Sequence, residues 1–133
     1  MSFTSTKRKK RVTGSDSYGI EGEAMKIEIS DSKGMKVILV SGDIDMYSSP
    51  ELRKELMQLV HKRVSLLLVD FRGVSYIDSS GIATFVEGLK NMMAYGGKLK
   101  FIGIPEKIME IFCFAKLDRV FEIYGTIDDA CNN

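Results

Sequence analysis

Four consecutive residues, Asp78-Ser79-Ser80-Gly81, carry the chemistry this chain can offer. The hydroxyls are nucleophiles when a partner supplies a base, and the carboxylate beside them is a proton acceptor or a charge for a helix start. An apolar run, Leu66-Leu67-Leu68-Val69, leads in through Asp70-Phe71-Arg72-Gly73. Ile82, Phe85, Val86, Leu89, Met92 and Met93 follow at helical spacing. The serines therefore sit at or beside an N-cap, where side-chain oxygens satisfy free backbone N–H groups. The start of a helix also favours negative charge, phosphate included. An exposed serine there is placed to accept a phosphate; on local sequence alone, an ordinary capping role competes with that reading.

Other chemistries find little support. There is no Gly-x-Ser-x-Gly elbow, no Gly-x-Gly-x-x-Gly, no Walker loop and no His-Glu-x-x-His. His61 is the single histidine and falls on the polar side of a helix beside two cations, remote from Ser79, so no Ser-His-acid triad is expected. Asp43, Asp45, Asp70 and Asp78 suffice to hold Mg²⁺ if they converge, but nothing in their spacing requires it. Cys113 and Cys131 match no zinc pattern; Cys113 reads as core and Cys131 as an inert terminal residue. No catalytic residue, metal or cofactor is assigned.

The elements that position these groups follow from the apolar pattern. Residues 26–30 alternate as a strand, 31–34 form a turn using Gly34, and 36–41 return as its antiparallel partner. Gly42-Asp43-Ile44-Asp45 is an acidic loop. Ser48-Ser49-Pro50-Glu51 opens a helix with a capping serine, then Pro in the first turn, then an acid; Leu52, Leu56, Leu59 and Val60 face inward, and Arg53, Lys54, Glu55 and Gln58 outward. A central strand runs from Ser65 to Val69, and the helix after Ser80 stops at Gly96-Gly97. Then come a strand at 98–104, a helix from Pro105-Glu106 with Ile108, Ile111, Phe112 and Ala115 on one side, a short strand at 120–124, and a terminal turn capped by Thr126. The order is β-β-α-β-α-β-α-β-α: an α/β mixed sheet with helices mainly on one face. Function belongs at the strand C-terminal ends, where residues 42–45 and 78–81 meet.

With 133 residues, 44% hydrophobic and 28% charged, the chain has the size and composition of one soluble domain. A net charge of +1 argues against a dedicated nucleic-acid binder. No apolar run is long enough for a membrane span, and the N-terminus lacks the apolar core of a signal peptide, so a cytoplasmic protein is the expectation, with a monomer as the default. Residues 1–24 read as a disordered basic tail and 25–133 as the folded domain. The run Lys7-Arg8-Lys9-Lys10-Arg11 is either a patch for anionic lipid or nucleic acid or a solvated tail, the commoner fate of charge runs.

Taken together, Gly42-Asp43-Ile44-Asp45, Val69-Asp70-Phe71-Arg72-Gly73-Val74, Asp78-Ser79-Ser80-Gly81 and Gly96-Gly97-Lys98-Leu99 resemble the STAS domain of bacterial anti-sigma factor antagonists. The resemblance starts near Met25; the basic tail lies outside it. It implies a phosphorylation switch: Ser79 is the acceptor, and Asp45, Asp78, Ser80 and Gly81 belong to the partner-binding surface. The unphosphorylated form binds an anti-sigma factor that is also a serine kinase and so frees a sigma factor; a PP2C-type phosphatase resets the cycle. Beside this, Ser80 is the expected cap, Asp78 assists phosphate transfer or complements the helix dipole, Asp45 shapes the acceptor site or serves its turn, and Gly81 admits a partner or permits tight helix entry. Two alternatives remain: a scaffold subunit of a signalling or lipid-transport assembly without phosphoswitching, and a small hydrolase built on Ser79 and the acids.

Overall fold

A computed structural model describes residues 7–9, 23–32 and 35–133. Among the described residues six strands form one sheet in sequential order: β1 (Lys7–Lys9), β2 (Lys26–Ser32), β3 (Met35–Ile44), β4 (Leu66–Ile77), β5 (Lys98–Ile102) and β6 (Glu122–Tyr124). β2 pairs antiparallel with β1 on one side and with β3 on the other. From β3 to β6 every pairing is parallel, because helices carry the chain back across the sheet. The helices are α1 (Ser49–His61), α2 (Ser79–Met93), α3 (Glu106–Phe114) and α4 (Ile127–Asn132), with a 3-10 turn at Leu117–Arg119.

The expected order holds, with one strand added. Within the basic run, Lys7–Lys9 pairs with β2 in the register Lys7 to Ser30, Arg8 to Ile29 and Lys9 to Glu28, so these three residues are not free tail. The rest of the tail up to residue 22, and the Lys33-Gly34 part of the predicted turn, lie outside the described residues.

The strands alternate as their sequences dictate. Ile38 and Val40, Leu67, Val69 and Phe71, and Leu99 and Phe101 face the layer of α1, α2 and α3. On that face Phe101 is the hub of an aromatic cluster, 4.5 Å from Phe121, 4.8 Å from Phe71 and 5.2 Å from Phe85 between ring centroids. Met35, Val37, Leu68 and Ile102 face the other way and meet Ala130 of α4. Buried Lys100 ties α4 down, its Nζ donating to the Ala130 carbonyl at 2.8 Å. Three helices on one side and a short one on the other is the one-sided layering expected.

Several side chains depart from the sequence reading. Glu55 is buried, although the helical period puts it among outward residues. Cys113 is exposed, as are Ala115 and Met93. The reason at Cys113 is geometric: α3 packs on one side only, and Ile108 and Phe112 use that side up. The last strand starts at Glu122, since Leu117–Arg119 winds into the 3-10 turn and leaves Val120 exposed. β3 runs on through Gly42 to Ile44, where a loop was expected. Gly42 has φ +84°, and a Cβ there would lie 2.3 Å from the Ala24 carbonyl oxygen. Only glycine lets the chain entering β2 cross so close.

Candidate functional site: the start of helix α2

β3 and β4 run side by side and end together, with Ile44 paired to Ile77. Each hands its chain to a helix, and the two handovers are joined by the Asp78 N–H, which donates to the Ile44 carbonyl at 3.1 Å. The predicted gathering of residues 42–45 and 78–81 is therefore present.

The cap of α2 is Asp78, not Ser80. Asp78 has extended backbone, and its Oδ1 accepts from Ser80 N at 2.9 Å, Gly81 N at 3.3 Å and Ser80 Oγ at 2.6 Å. A carboxylate at this position satisfies N–H groups and also places negative charge at the positive end of the helix. Ser80 is consequently a partner of the cap, half-buried, with its hydroxyl also receiving the Ser49 hydroxyl at 3.2 Å.

Ser79 is the first residue of α2 and is exposed. Among the described residues its hydroxyl has no hydrogen-bond partner. Gly81 is buried beneath it: a Cβ would stand 2.6 Å from Ile44 Cγ2 and 2.9 Å from Ile77 Cγ1. Of its two expected roles, the geometry supplies tight helix entry; Gly81 faces the core and presents no surface.

The neighbouring corner is built from the same residue types. Asp45 Oδ1 accepts from Tyr47 N at 2.9 Å and Ser48 N at 3.0 Å, closing the turn into α1, so its turn role is the one the geometry displays. Ser48 does not cap α1 with its side chain. Its hydroxyl instead donates back to the Asp43 carbonyl at 2.9 Å and accepts from Asp45 N at 2.9 Å. Asp43 holds the incoming chain, accepting from Glu23 N at 3.2 Å. Asp70 is buried and engaged by Arg72, whose Nε lies 3.0 Å from both carboxylate oxygens; that hydrogen bonding, reinforced by the opposite charge, raises the Arg72 pKa above its ordinary value. The four aspartates are thus committed to separate partners, and among the described residues no three metal-ligating side chains gather.

His61 is exposed at the far end of α1, sharing a surface hollow with Asn91, Ala94 and Tyr95 from the last turn of α2 and the residues after it. It is a helix length away from Ser79. Between those ends a bidentate ion pair spans α1 and α2, with Arg53 Nε 2.8 Å and Nη2 2.7 Å from the Glu87 carboxylate.

Sequence reasoning missed the apolar rim. Met46 and Tyr47 in the turn before α1, and Tyr76 near the end of β4, are 62%, 65% and 48% exposed. The signal was available: two large apolar residues interrupt an otherwise polar loop between Asp45 and Ser48. It also missed the role of Ser49, whose hydroxyl turns toward Ser80.

A six-stranded mixed sheet, one-sided helices and a serine-bearing helix start define a class of small α/β domains, and comparison with known proteins supplies the family. Residues 26–130 match the family model of the STAS domain, and the chain belongs to that family. It is 28% identical over 99 residues to an anti-sigma-B factor antagonist of Bacillus subtilis (strain 168), covering 74% of this chain and 90% of that protein. The crystal structure of an anti-sigma factor antagonist from Mycobacterium paratuberculosis matches with a TM-score of 0.74 at 24% identity, over 81% of this chain and 92% of the other. The structure of the Bacillus cell fate determinant SpoIIAA in its phosphorylated form matches with a TM-score of 0.64 at 18% identity, over 80% and 96%. Among the described residues no helix is long and apolar enough to cross a membrane.

Proposed function

We propose that this protein is an anti-sigma factor antagonist switched by phosphorylation of Ser79. Unphosphorylated, it sequesters an anti-sigma factor that is also a serine kinase and frees a sigma factor in the cytoplasm. The kinase modifies Ser79 and releases the antagonist; a PP2C-type phosphatase restores it. Residues 25–133 form the acting domain, with residues 1–24 as an appended basic segment. The observation that carries this reading is the exposed Ser79 hydroxyl, unbonded among the described residues, on the first turn of a helix already capped by Asp78. Supporting it are the Bacillus subtilis relative's name and the solved phosphorylated form of SpoIIAA.

The partner surface in this proposal is Ser79 with Asp45, Asp78 and the half-buried Ser80, widened by Met46, Tyr47 and Tyr76. Gly81 supports it from below. A phosphate brings about −1.5 to −2 charges and three acceptor oxygens. The helix N-terminus tolerates that charge within the domain. At a partner surface the balance reverses, since two like unit charges ~4 Å apart repel by roughly 4 kcal/mol at the effective dielectric near a protein surface. The switch therefore works by repulsion and steric intrusion on a scaffold that stays put.

The test is incubation of the full chain with the anti-sigma factor kinase of the same genome and ATP. Mass spectrometry should find one added phosphate, on Ser79. Ser79→Ala should fold normally and bind the kinase constitutively, whereas Ser79→Asp should bind at least about tenfold more weakly, as expected for a penalty of ~1.4 kcal/mol or more. Phosphate elsewhere, or equal affinity of the two variants, sinks the proposal.

A further inference from the structure

Ser79 and Ser80 are adjacent residues of one type on one helical turn, yet their hydroxyls are in different states. Ser79 is exposed. The Ser80 hydroxyl gives its proton to Asp78 Oδ1 at 2.6 Å and receives one from Ser49 Oγ at 3.2 Å. Ser49 belongs to α1 and is itself buried. A serine hydroxyl has one proton and two lone pairs. In Ser80 the proton and one lone pair are taken, and the oxygen is turned into the junction between the two helix starts.

We propose that Ser49 selects the phosphoacceptor. By donating to Ser80 Oγ it engages one of that oxygen's two electron pairs and holds the oxygen toward α1, away from an incoming phosphorus. Ser79 is thereby left as the available nucleophile. Ser49 touches neither nucleotide nor reacting oxygen, so it is a positioning residue, acting through Ser80. This inference rests on the reading of Ser79 as a phosphoacceptor.

The chemistry released by removing Ser49 is defined. Asp78 remains beside the Ser80 hydroxyl as a proton acceptor. The freed Ser80 oxygen attacks the γ-phosphorus of ATP, forming the new O–P bond. The bond from that phosphorus to the β,γ-bridging oxygen breaks, its electron pair leaving with ADP. The hydroxyl proton passes to Asp78 and on to water. The products are phosphoserine, ADP and a proton, the same as at Ser79.

The experiment uses the full chain, the anti-sigma factor kinase of the same genome, ATP and fragment mass spectrometry. Wild type should carry phosphate on Ser79, and Ser79→Ala should carry none. Ser79→Ala combined with Ser49→Ala should gain phosphate on Ser80 at a rate about tenfold or more above Ser79→Ala, the scale set by one lost hydrogen bond. Ser49→Thr in the Ser79→Ala background restores a hydroxyl and should return the signal to blank. Thermal melting checks that each variant is folded; Ser49→Cys, nearly isosteric and a weak donor, replaces Ser49→Ala if the latter unfolds. If wild type is phosphorylated on Ser79 but the combined variant stays blank, the selection role is wrong and the Ser79 reading stands. Phosphate on Ser80 in Ser79→Ala alone also overturns the selection role. A wild type that takes no phosphate removes both.

Discussion

Two corners of this molecule are made from nearly the same residues and do different things. One is Asp45-Met46-Tyr47-Ser48-Ser49-Pro50, between β3 and α1; the other is Asp78-Ser79-Ser80-Gly81, between β4 and α2. Each has an aspartate accepting backbone N–H groups and a pair of serines at the helix start. At the first corner both serines are buried, and their hydroxyls join the two corners to each other and to β3. At the second, one serine is turned in and the other out. The difference lies in the length of the turn. Asp45 stands four residues before α1, so the serines fold back under it, whereas Asp78 is the cap itself and the residue after it must point outward. A serine pair at a helix start is thus no sign of an exposed hydroxyl; here the distance from the aspartate separates the two cases.

The largest effect on stability should come from the residue after each pair. Pro50 is exposed in the first turn of α1, where its missing N–H costs nothing, so Pro50→Ala should change stability little. Gly81→Ala drives a methyl into the fully buried Ile44 and Ile77, which have no room to retreat. It should cost about 1–3 kcal/mol by overpacking, read as a lower midpoint in urea unfolding. Equal midpoints for the two variants would mean that the corners are packed alike.

Next in size are the acids. Asp78→Ala strips two N–H groups and the Ser80 hydroxyl of their acceptor, and Asp45→Ala does the same to Tyr47 and Ser48. Each should cost about 1 kcal/mol, the usual worth of such a cap. The corners share the Ser49–Ser80 bond, so the double variant should deviate from the sum of the singles by about 0.5 kcal/mol or more. Strict additivity in a double-mutant cycle would show that the two helix starts are independent.

Much of this was legible before any coordinates. The apolar period located α1, α2, α3 and five strands, the Thr126 cap marked α4, and strands separated by helices must run parallel, which brings residues 44 and 77 together. What the pattern hid is what depends on distance in space. Ser80 rather than Asp78 was the expected cap because both are good capping residues and only backbone geometry separates them. Glu55 belongs to the polar side of its helical period yet is buried, and an apolar segment left Cys113 outside because the edge helix α3 has one packed side. The Ser49–Ser80 bond joins residues 31 apart in the chain, and no local rule finds it.

The smallest effect concerns the second link between the same helices. The Ser49–Ser80 bond is partly buried, whereas the Arg53–Glu87 pair is exposed on both sides. The Arg53 hydrogen bonds hold the Glu87 carboxyl below its ordinary pKa, outweighing what desolvation adds, and Glu87 raises that of Arg53. The sign follows from linkage. A carboxylate depressed in the folded state contributes stability that is complete above its unfolded pKa and fades as pH falls through its folded pKa. Arg53 stays protonated over that range and adds no pH dependence. The melting temperature of wild type should therefore exceed that of Glu87→Gln slightly near neutral pH, and the gap should close below the ordinary glutamate pKa of 4.5. Salt at about 1 M, with a Debye length near 3 Å, should close it at neutral pH as well. The Ser49→Ala penalty, carrying no charge, should ignore both treatments. A gap at Glu87 that survives salt and acid would place this link in the same class as the buried one and erase the contrast between them.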